Sequence, residues 1–393
     1  MAGYSFMGDL PFRNVYYTGI IRDKQGRKMS KTLGNSPDPL VLIEKYGADA
    51  LRFGTMRSAP LGLDVLFDEK DVELGRNFCN KLWNVSRFRQ MSGGKADNTD
   101  LGNIIGRIEI DYVSKDDHAI LLRLAETLDE AERLYAEYEF NSVLHAIYHF
   151  FWTDFCDWYI EVSKPRLSDE QTKQTCLAVQ DICIRQILLL LHPYTPFITE
   201  ELWLLLGYST QRSIQGFSAG TGLQIHQQIS ERGIYLEQKS LEEVRMTRET
   251  TTQIRALKAE RNLSNNRNVE FFFSSDENQE ETIRENESSI LAMVGAAALK
   301  KADSAPSGLP ASITPLGTFF LDLSSGVDLV SERKRLSKEA QALEGIIKGI
   351  NAKLSNPAFV DKAPEKVVEG AKKQLSDNQT KLQETQSALE ALN

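Results

Sequence analysis

The sequence lacks several features that would place a protein in a class at once. It has four cysteines, none in a CxxC pair: Cys79, Cys156, Cys176 and Cys183. Neither a disulfide framework nor a cysteine metal site is therefore expected. No apolar run approaches the roughly 20 residues of a membrane span, and the N-terminus lacks the basic region and cleavage site of a signal peptide. We expect a cytoplasmic protein with packed, reduced thiols and no membrane partner.

The sequence also lacks an overall positive charge. Its formal net charge of −9 argues against a protein that coats nucleic acid indiscriminately, so any RNA contact must come from local basic patches. Such patches occupy residues 13–31, with six Lys/Arg against one acid, residues 239–268, with seven against four, and residues 331–354, with six against three. A solvated helix face is the alternative interpretation of each.

With 393 residues, 41% of them hydrophobic, the chain is long enough for several domains, and its patterns predict a mainly α protein. The segment "FRNVYYTGIIRDKQGRKMSK" is typical of a strand at about residues 14–21 that runs into a Gly-containing basic loop, with no partner strand before it. A lone strand cannot form a domain. We interpret residues 1–66 as the end of a sheet-containing domain whose earlier strands lie outside this chain.

Long amphipathic patterns predict a helical bundle over residues 67–240. One helix begins near Ser114, a second covers about residues 140–163, and a third runs from Ser168, with Gln171 at capping-box spacing, to Leu191. In a fourth, Thr195 caps a helix with Pro196 at its first position. Residues 207–238 are rich in Gly, Ser, Thr and Gln and predict an irregular loop.

A small α+β subdomain is predicted over residues 241–330. It should contain a basic helix from Leu241 to Arg261, strands at "RNVEFFFSS" and "GTFFLDLSS", and a helix near residues 287–300. Residues 331–393 show a heptad pattern in two arms, which predicts a coiled coil. Pro357 and Pro364 interrupt it, so the arms should fold into an antiparallel hairpin.

The segment "GRKMSKTLGN" is the strongest chemical motif. It places Lys28 and Lys31 three residues apart in a Gly-flanked loop with Ser30 and Thr32, which suits ammonium groups that offset charge on the leaving pyrophosphate of ATP. A basic surface loop is the alternative.

With the residues that follow it, "KMSKTLGNSPDPLVLIEKYGADALRF" resembles the KMSKS loop of class I aminoacyl-tRNA synthetases and the segment after it, with Thr32 in place of the usual second serine. The hydroxyl is retained. The resemblance implies that Lys31 contacts ATP most directly, that Lys28 assists, and that Met29, Ser30 and Thr32 complete the loop. It also implies that residues 1–66 are the end of a Rossmann-like α/β catalytic domain.

Three further segments resemble the anticodon-binding bundle of the valine, isoleucine and leucine branch: "GRNFCNKLWN", "FFWTDFCDWYIEVSKPRL" and "LHPYTPFITEELW". The tail "KLSNPAFVDKAPEKVVE" and the preceding "VRMTRETTTQIRALKAERNLS" resemble the valine-specific members. The C-terminal zinc-binding cysteines of the isoleucine-specific members have no counterpart here.

This family also needs a HIGH motif, and none of His118, His145, His149, His192 and His226 lies in one. An inserted editing domain is missing as well. The resemblance implies a C-terminal fragment, inactive alone and without a tightly bound cofactor, of an enzyme that uses ATP and Mg²⁺ to join valine to tRNA(Val). The family is usually monomeric.

Two groups of residues are candidates for tRNA contact. Arg76, Asn77, Asn80, Lys81 and Trp83 could hydrogen-bond to and stack on unpaired anticodon bases, or could simply pack a helix start. Arg333, Lys334, Arg335 and Lys338 could contact tRNA phosphates. No metal site is expected, because the residues between His145 and His149 lack the Glu of a zinc-protease motif.

Two other functions remain open at this stage. The chain could be a free-standing tRNA-binding protein derived from a synthetase, with a genuine start at Met1. It could also be a structural coiled-coil adaptor.

Overall fold

A computed structural model describes residues 2–96, 100–209, 213–214, 218–302, 306, 309–322 and 329–355, with 369–370, 374–376, 378–379 and 382 of the tail. It is mostly helical with a few strands, as the sequence predicts. The chain divides into two compact units, Met1–Arg248 and Glu249–Asn393. Each unit is described by itself.

The first unit consists mainly of helices. Its α-helices are α1 (Ala2–Met7), α2 (Pro39–Tyr46), α3 (Ala48–Arg57), α4 (Glu69–Gly93), α5 (Leu101–Ile105), α6 (Lys115–Ala136), α7 (Phe140–His149), α8 (Ile160–Ser163), α9 (Glu170–Leu191), α10 (Pro196–Leu205), α11 (Gly222–Ser230) and the start of α12 (Gln238–Glu260). Two strands, β1 (Ile21–Arg22) and β2 (Val65–Leu66), pair in parallel. Short 3₁₀ turns cover Ile110–Tyr112 and Pro165–Ser168.

Helix α9 lies at the centre of this unit. Every residue from Thr175 to Leu191 is buried. By length and composition α9 could cross a membrane, contrary to the expectation from the sequence, but 94% of its most apolar stretch is buried inside the protein. A helix that is hydrophobic on all sides is the core helix of a bundle when other helices surround it, as they do here.

One buried carboxylate ties four segments of the first unit together. Asp181, on α9, accepts two hydrogen bonds from Arg89 on α4, at 2.8 and 2.6 Å. Arg107, after α5, donates a third at 2.6 Å, and the hydroxyl of Tyr208, after α10, donates a fourth at 3.1 Å. Asp181 and Arg89 are almost completely buried. A buried charge requires this degree of pairing, because its loss of hydration is otherwise uncompensated.

The predicted helix starts are close to those observed, but one cap is a different residue and another does not form the expected side-chain hydrogen bond. Ser114 forms the capping box of α6 with Asp117. Helix α9 is capped by Asp169, whose side chain accepts from Gln171 N, rather than by Ser168. At α10 the Thr195 hydroxyl bonds back to Leu191 O. The Asp49 carboxylate accepts from Ile198 N instead, at 2.7 Å, because α3 places Asp49 at the N-terminal end of α10.

The predicted helix over residues 140–163 is observed, with an irregularity. Between α7 and α8 the backbone follows a π-helix from Phe150 to Tyr159. A π-helix widens the turn and rotates the residues beyond it. Here Phe151, Phe155 and Tyr159 remain completely or almost completely buried along the segment.

The predicted strand at residues 14–21 is largely wrong. Only Ile21 and Arg22 are in a strand, and this strand does have a partner, Val65–Leu66, which follows it in the chain. Two pairs of residues are too few to stabilise a longer strand. The side chains of Val15, Tyr17 and Ile20 are exposed, so the apolar run that predicted a strand has no core to pack against within the described residues.

Residues 207–238, predicted as an irregular loop, contain helix α11. Thr221 and Gln224 form its capping box, and Ile225 and Ile229 are buried one turn apart. Gly222 N also donates to Asp129 of α6 at 2.8 Å. The helix is short, and apart from this pair, Gly222 and the exposed Leu223 its residues are polar, so its composition resembled that of a loop.

The second unit contains a four-stranded sheet with helices. After the end of α12 come β3 (Glu270–Ser274), α13 (Glu277–Glu285), α14 (Glu287–Val294), β4 (Ala298–Lys301), β5 (Ala311–Thr314), β6 (Gly317–Asp322) and α15 (Leu329–Leu354). The strand order is β4-β3-β6-β5, with β3 and β4 parallel and the other pairs antiparallel. The helix predicted over residues 287–300 ends at Val294, because Gly295 adopts a left-handed conformation there and Leu299 enters the sheet.

The described part of the C-terminal tail begins with α15. Within it, Ala340 is buried, and Leu343, Ile347 and Ile350 are half-buried, whereas most of their neighbours are exposed. These residues share one helix face by their spacing. The predicted turn with Pro357 and Pro364 lies outside the described residues, as does most of the second arm.

Replacing Arg89 with Met should lower the free energy of unfolding of the first unit by about 3–5 kcal/mol, because the variant leaves Asp181 buried with fewer partners. Urea unfolding followed by tryptophan fluorescence tests this, since all four tryptophans lie in the first unit. The control is Arg133→Met, which breaks an exposed pair with Glu137 and should cost at most about 1 kcal/mol. Equal losses in the two variants would contradict the role given to Asp181.

Candidate functional site

The segment from Ile21 to Asn35 forms a hairpin-like loop. Arg22 and Lys28 face each other across an antiparallel bridge, and Met29 N donates to Ile21 O at 3.2 Å. Gly26 and Gly34 have positive φ angles, 76° and 64°, which other residues adopt only with strain. The sequence therefore folds here into two tight turns around the lysines.

Asp23 and Asn35 hold this loop from inside. The Asp23 carboxylate accepts from the backbone N of Gln25 and Arg27, from Arg27 Nε at 2.8 Å and from Asn35 Nδ2 at 2.9 Å. Asn35 Oδ1 accepts from Ser30 N at 2.9 Å. The Asn35 hydrogen bond, reinforced by Arg27, keeps the pKa of Asp23 well below its usual value. Asp23 is therefore ionised at neutral pH and keeps its hydrogen bonds.

The two signature lysines project from this loop. Lys28 and Lys31 are exposed, and neither forms an ion pair with a described residue. Ser30 is half-buried, and its hydroxyl accepts from Leu33 N at 3.2 Å. By contrast, the neighbouring Lys24 pairs with Asp68 at 2.9 Å. The loop thus presents two ammonium groups without ionic partners among the described residues, on a backbone that Asp23 and Asn35 hold in place. This arrangement suits binding of a polyphosphate.

A polar stripe runs along helix α4. Asn77, Asn80, Asn84 and Arg87 are all exposed and recur every three or four residues, so they share one face. The side chains of Asn80, Asn84 and Arg87 have no hydrogen-bond or ion-pair partner among the described residues. Amide and guanidinium groups without partners on one face are available to an external ligand.

Two of the predicted anticodon residues are committed elsewhere. Arg76 donates to Glu73 at 3.0 Å and to Asn77 at 3.2 Å, and its guanidinium lies 5.5 Å from the Tyr46 ring centroid. Lys81 pairs with Asp157 at 3.0 Å and lies over the Trp152 ring. The structure thus separates Arg76 and Lys81, which are satisfied within the protein, from Asn80 and Trp83, which are not.

Trp83 lines a pocket of about 300 Å³ beside the stripe. Its other lining residues are Ser86, Arg87, Gln90, Glu201, Leu202, Leu205 and Leu206. Trp83 is 40% exposed, whereas Trp158 and Trp203 are buried. The hydroxyl of Ser86 is buried without a partner among the described residues. An indole, an apolar floor and free polar groups together form a surface on which a planar, polar ring can stack.

The sequence reasoning missed Ser86, Asn84 and Arg87. The last two could have been found, because they continue the three-and-four spacing of Asn77 and Asn80. Ser86 could not, since a serine on a helix gives no sign that its hydroxyl lines a pocket. Pairing of Arg76 and Lys81 likewise depends on distant residues, which the local sequence does not reveal.

The remaining candidates have no described geometry or no ligand-like environment. The side chains of Arg333, Lys334, Arg335 and Lys338 lie outside the described part of the structure. In the part of the chain that the structure describes, no three His, Cys, Asp or Glu side chains form a possible metal site.

The cysteines are free thiols, and burial raises the pKa of Cys79 to about 12 and of Cys176 to about 11. At neutral pH both are protonated packing groups.

Comparison with known families matches three successive segments. Residues 1–68 match tRNA synthetases class I (I, L, M and V). Residues 117–272 match the anticodon-binding domain of tRNA ligase, and residues 328–393 match the valyl tRNA synthetase tRNA binding arm. The loop of Lys28 and Lys31 thus lies in a segment similar to a synthetase domain, and helices α7 to α12 lie in the segment similar to the anticodon-binding domain. Helix α4 lies between these two matched segments.

Among curated proteins, the chain is 32% identical over 395 residues to a valine--tRNA ligase of Parabacteroides distasonis and 34% identical over 396 residues to that of Bacteroides fragilis. Both alignments cover 100% of this chain and 42% of the relative. Among solved structures, the LeuRS of an Agrobacterium radiobacter K84 LeuRS–tRNA–LeuAMS complex is 20% identical, with a TM-score of 0.42, over 55% of this chain and 24% of that one. That score is too low to establish a common overall fold.

Replacing Asp23 with Asn should loosen the loop, because Arg27 loses its ionic partner and the backbone loses a charged acceptor. Limited trypsin digestion at pH 8, monitored by mass spectrometry, should then cleave after Arg27, Lys28 and Lys31 several-fold faster than in the parent chain. The control is Asp9→Asn, whose carboxylate accepts only from the neighbouring Leu10 N in the described structure and should leave these rates unchanged. Unchanged cleavage in Asp23→Asn would show that Asp23 does not hold the loop.

Proposed function

Since this chain is homologous along its whole length to valine--tRNA ligases, we propose that it supplies the ATP-binding loop and the tRNA-binding parts of an enzyme that joins valine to tRNA(Val). The chain spans about 42% of the length of the curated relatives it matches. The intact enzyme would form valyl-adenylate from valine and ATP and then transfer the valine to the tRNA.

The observation that carries this proposal is the free polar stripe of α4 with the Trp83 pocket beside it. Anticodon bases are single-stranded, and proteins read such bases by stacking them on aromatic rings and bonding their edges. Trp83 offers the ring, and Arg87, which has no partner among the described residues, offers hydrogen-bonding groups at its side. We assign the pocket to one anticodon base and the row Asn77, Asn80 and Asn84 to its neighbours.

The loop of Lys28 and Lys31 would serve the adenylation step. Two ammonium groups without acidic partners can offset charge on the pyrophosphate of ATP as it leaves. Asp23 and Asn35 would keep the loop shaped for this role, since they bond to its backbone at both ends. Mg²⁺ would accompany the ATP as its usual counter-ion.

The C-terminal tail would form an antiparallel coiled-coil arm that contacts the tRNA body. The burial of Ala340 and the half-buried Leu343, Ile347 and Ile350 supports an apolar seam on α15. Arg333, Lys334, Arg335 and Lys338 would contact phosphates from this arm.

The same proposal covers the remaining properties of the chain. It would act in the cytoplasm as a monomer, without a tightly bound cofactor, and would not form adenylate alone, because its sequence contains no HIGH motif. A free-standing tRNA-binding protein is not favoured, since the homology includes the segment of the ATP loop.

The chain should bind tRNA(Val) more tightly than a copy with a substituted anticodon. Binding is measured by filter retention over a salt series, since phosphate contacts alone give steep, sequence-independent salt dependence. Trp83→Ala should lose about tenfold in affinity for tRNA(Val), the scale of one stacked base, and most of the preference for the correct anticodon. Trp83→Phe should retain much of both.

Arg133→Gln serves as the control, because Arg133 is an exposed arginine on α6 outside the pocket. It should leave the anticodon preference unchanged. Equal binding of the two tRNAs by the parent chain would overturn the anticodon role, and a preserved preference in Trp83→Ala would remove that role from the pocket.

In the enzyme that contains this chain, Lys31→Ala should reduce kcat for valine-dependent exchange of pyrophosphate into ATP by about 10² or more, with a smaller effect on KM. The reason is that Lys31 would act mainly on charge that develops in the transition state. Lys28→Ala should have a smaller effect in the same direction. The control Lys24→Ala removes a lysine of the same loop that is paired with Asp68. A similar kcat for Lys24→Ala and Lys31→Ala would contradict the role of Lys31.

A further inference from the structure

A lysine in the second unit is buried without an acidic partner. Lys258, on α12, is 1% exposed. Its ammonium group donates to three backbone carbonyls, those of Asn266 at 2.8 Å, Val294 at 3.0 Å and Gly295 at 2.7 Å. No described carboxylate forms an ion pair with it. The carbonyls satisfy its hydrogen bonds but carry no net charge, so its positive charge is left uncompensated.

Lys258 also fixes the loop that follows α12. Leu263 N donates back to Lys258 O at 2.9 Å, and the Lys258 side chain holds Asn266 O. Asn262 takes up the reversal of the chain in a left-handed conformation, with a φ of 58°. The loop is thus preorganised, with Ser264 and Asn265 at its tip.

A pocket of about 440 Å³ opens beside this loop. It is lined by Thr252, Arg255, Ala256, Lys258, Ala259, Ser264, Asn265 and Val294, and no lining residue is acidic. The side chains of Arg255, Ser264 and Asn265 are exposed and have no hydrogen-bond or ion-pair partner among the described residues. Three free polar groups therefore surround one opening.

The electrostatic environment of this pocket is positive. Burial of Lys258, together with the nearby guanidinium groups of Arg255 and Arg267, lowers the pKa of the Lys258 ammonium. Arg267 also forms no ion pair with a described residue. These residues belong to the basic patch at residues 239–268, which the anticodon and ATP sites do not use.

We propose that this pocket binds one backbone phosphate of a tRNA, with Arg255 as its ionic partner and Ser264 and Asn265 bonding to the phosphate or the adjoining ribose. Guanidinium groups pair with phosphate through two parallel hydrogen bonds, and Ser and Asn side chains commonly contact the RNA backbone. The inference rests on the proposed tRNA binding, and it adds a contact that positions the RNA without reading its sequence.

The test uses the whole chain and measures binding to tRNA(Val) and to its anticodon-substituted copy over a salt series. Arg255→Gln should weaken binding of both RNAs by the same factor, about tenfold, and should reduce the slope of log K against log salt by about 1. Asn265→Ala should weaken both several-fold with no change of slope, because it removes a neutral group. Both residues are exposed, so folding should be retained.

The matched control is Arg245→Gln, an exposed arginine on the same helix that does not line the pocket. It should leave affinity and slope unchanged. An equal effect of Arg245→Gln and Arg255→Gln would mean that charge acts generally, and an unchanged slope in Arg255→Gln would mean that no phosphate is bound; either result overturns the proposal.

Competition with inorganic phosphate tests whether the pocket binds the RNA backbone or a small free anion. If it displaces tRNA from the parent chain and from Arg255→Gln equally well at one ionic strength, the pocket has no special affinity for free phosphate, as we expect. Selective displacement from the parent chain at millimolar phosphate would assign the pocket to a small anion. If the parent chain binds the two tRNAs equally well, the proposed anticodon role is contradicted. The salt slopes of the parent chain and Arg255→Gln can still be compared in that case, so the phosphate proposal is tested separately.

Discussion

The first unit depends on one buried negative charge. Asp181 is surrounded by Arg89, Arg107 and Tyr208, so α4, α9 and the segments that follow α5 and α10 are fixed relative to one atom group. Apolar packing alone would allow α9 to rotate or slide, since it is buried on every side. A hydrogen-bonded carboxylate permits only one orientation, because any other leaves a buried charge without partners. The polar face of α4 is positioned by the same pairing, because Arg89 lies on that helix.

The basic side chains named above fall into two groups, those with an acidic partner within the fold and those without one. Arg76, Lys81, Arg89 and Arg107 have acidic partners within the fold. Lys28, Lys31, Arg87 and Arg255 have none among the described residues. Sequence composition counts both groups alike. Net charge is therefore a weak guide to RNA binding in this chain, where a protein of charge −9 still presents free cations at separate places.

The sequence predicted much of the fold because its helices are long and strongly periodic. The start of a helix near Ser114 and the helical character of most of residues 115–191 follow from local patterns. Patterns failed where distant residues decide the outcome. Asp49 caps α10 across almost 150 residues, and the segment at residues 14–20 needs neighbours that its own apolar run cannot supply. Within the candidate site, residue types indicated the loop and the α4 face, but only contacts distinguish Arg76 from Arg87.

The exposed apolar side chains near the N-terminus have a consequence for handling this chain in solution. Phe6, Met7, Phe12 and Tyr17 are each more than 60% exposed, and several further apolar residues up to Ile43 accompany them. Apolar patches of this kind attract one another, and like charge opposes that attraction at neutral pH. The charge declines to zero in mildly acidic buffer as carboxylates are protonated, while the apolar attraction persists. Colloidal stability of the chain is thus set by its surplus of acids, although those acids take no part in its proposed chemistry.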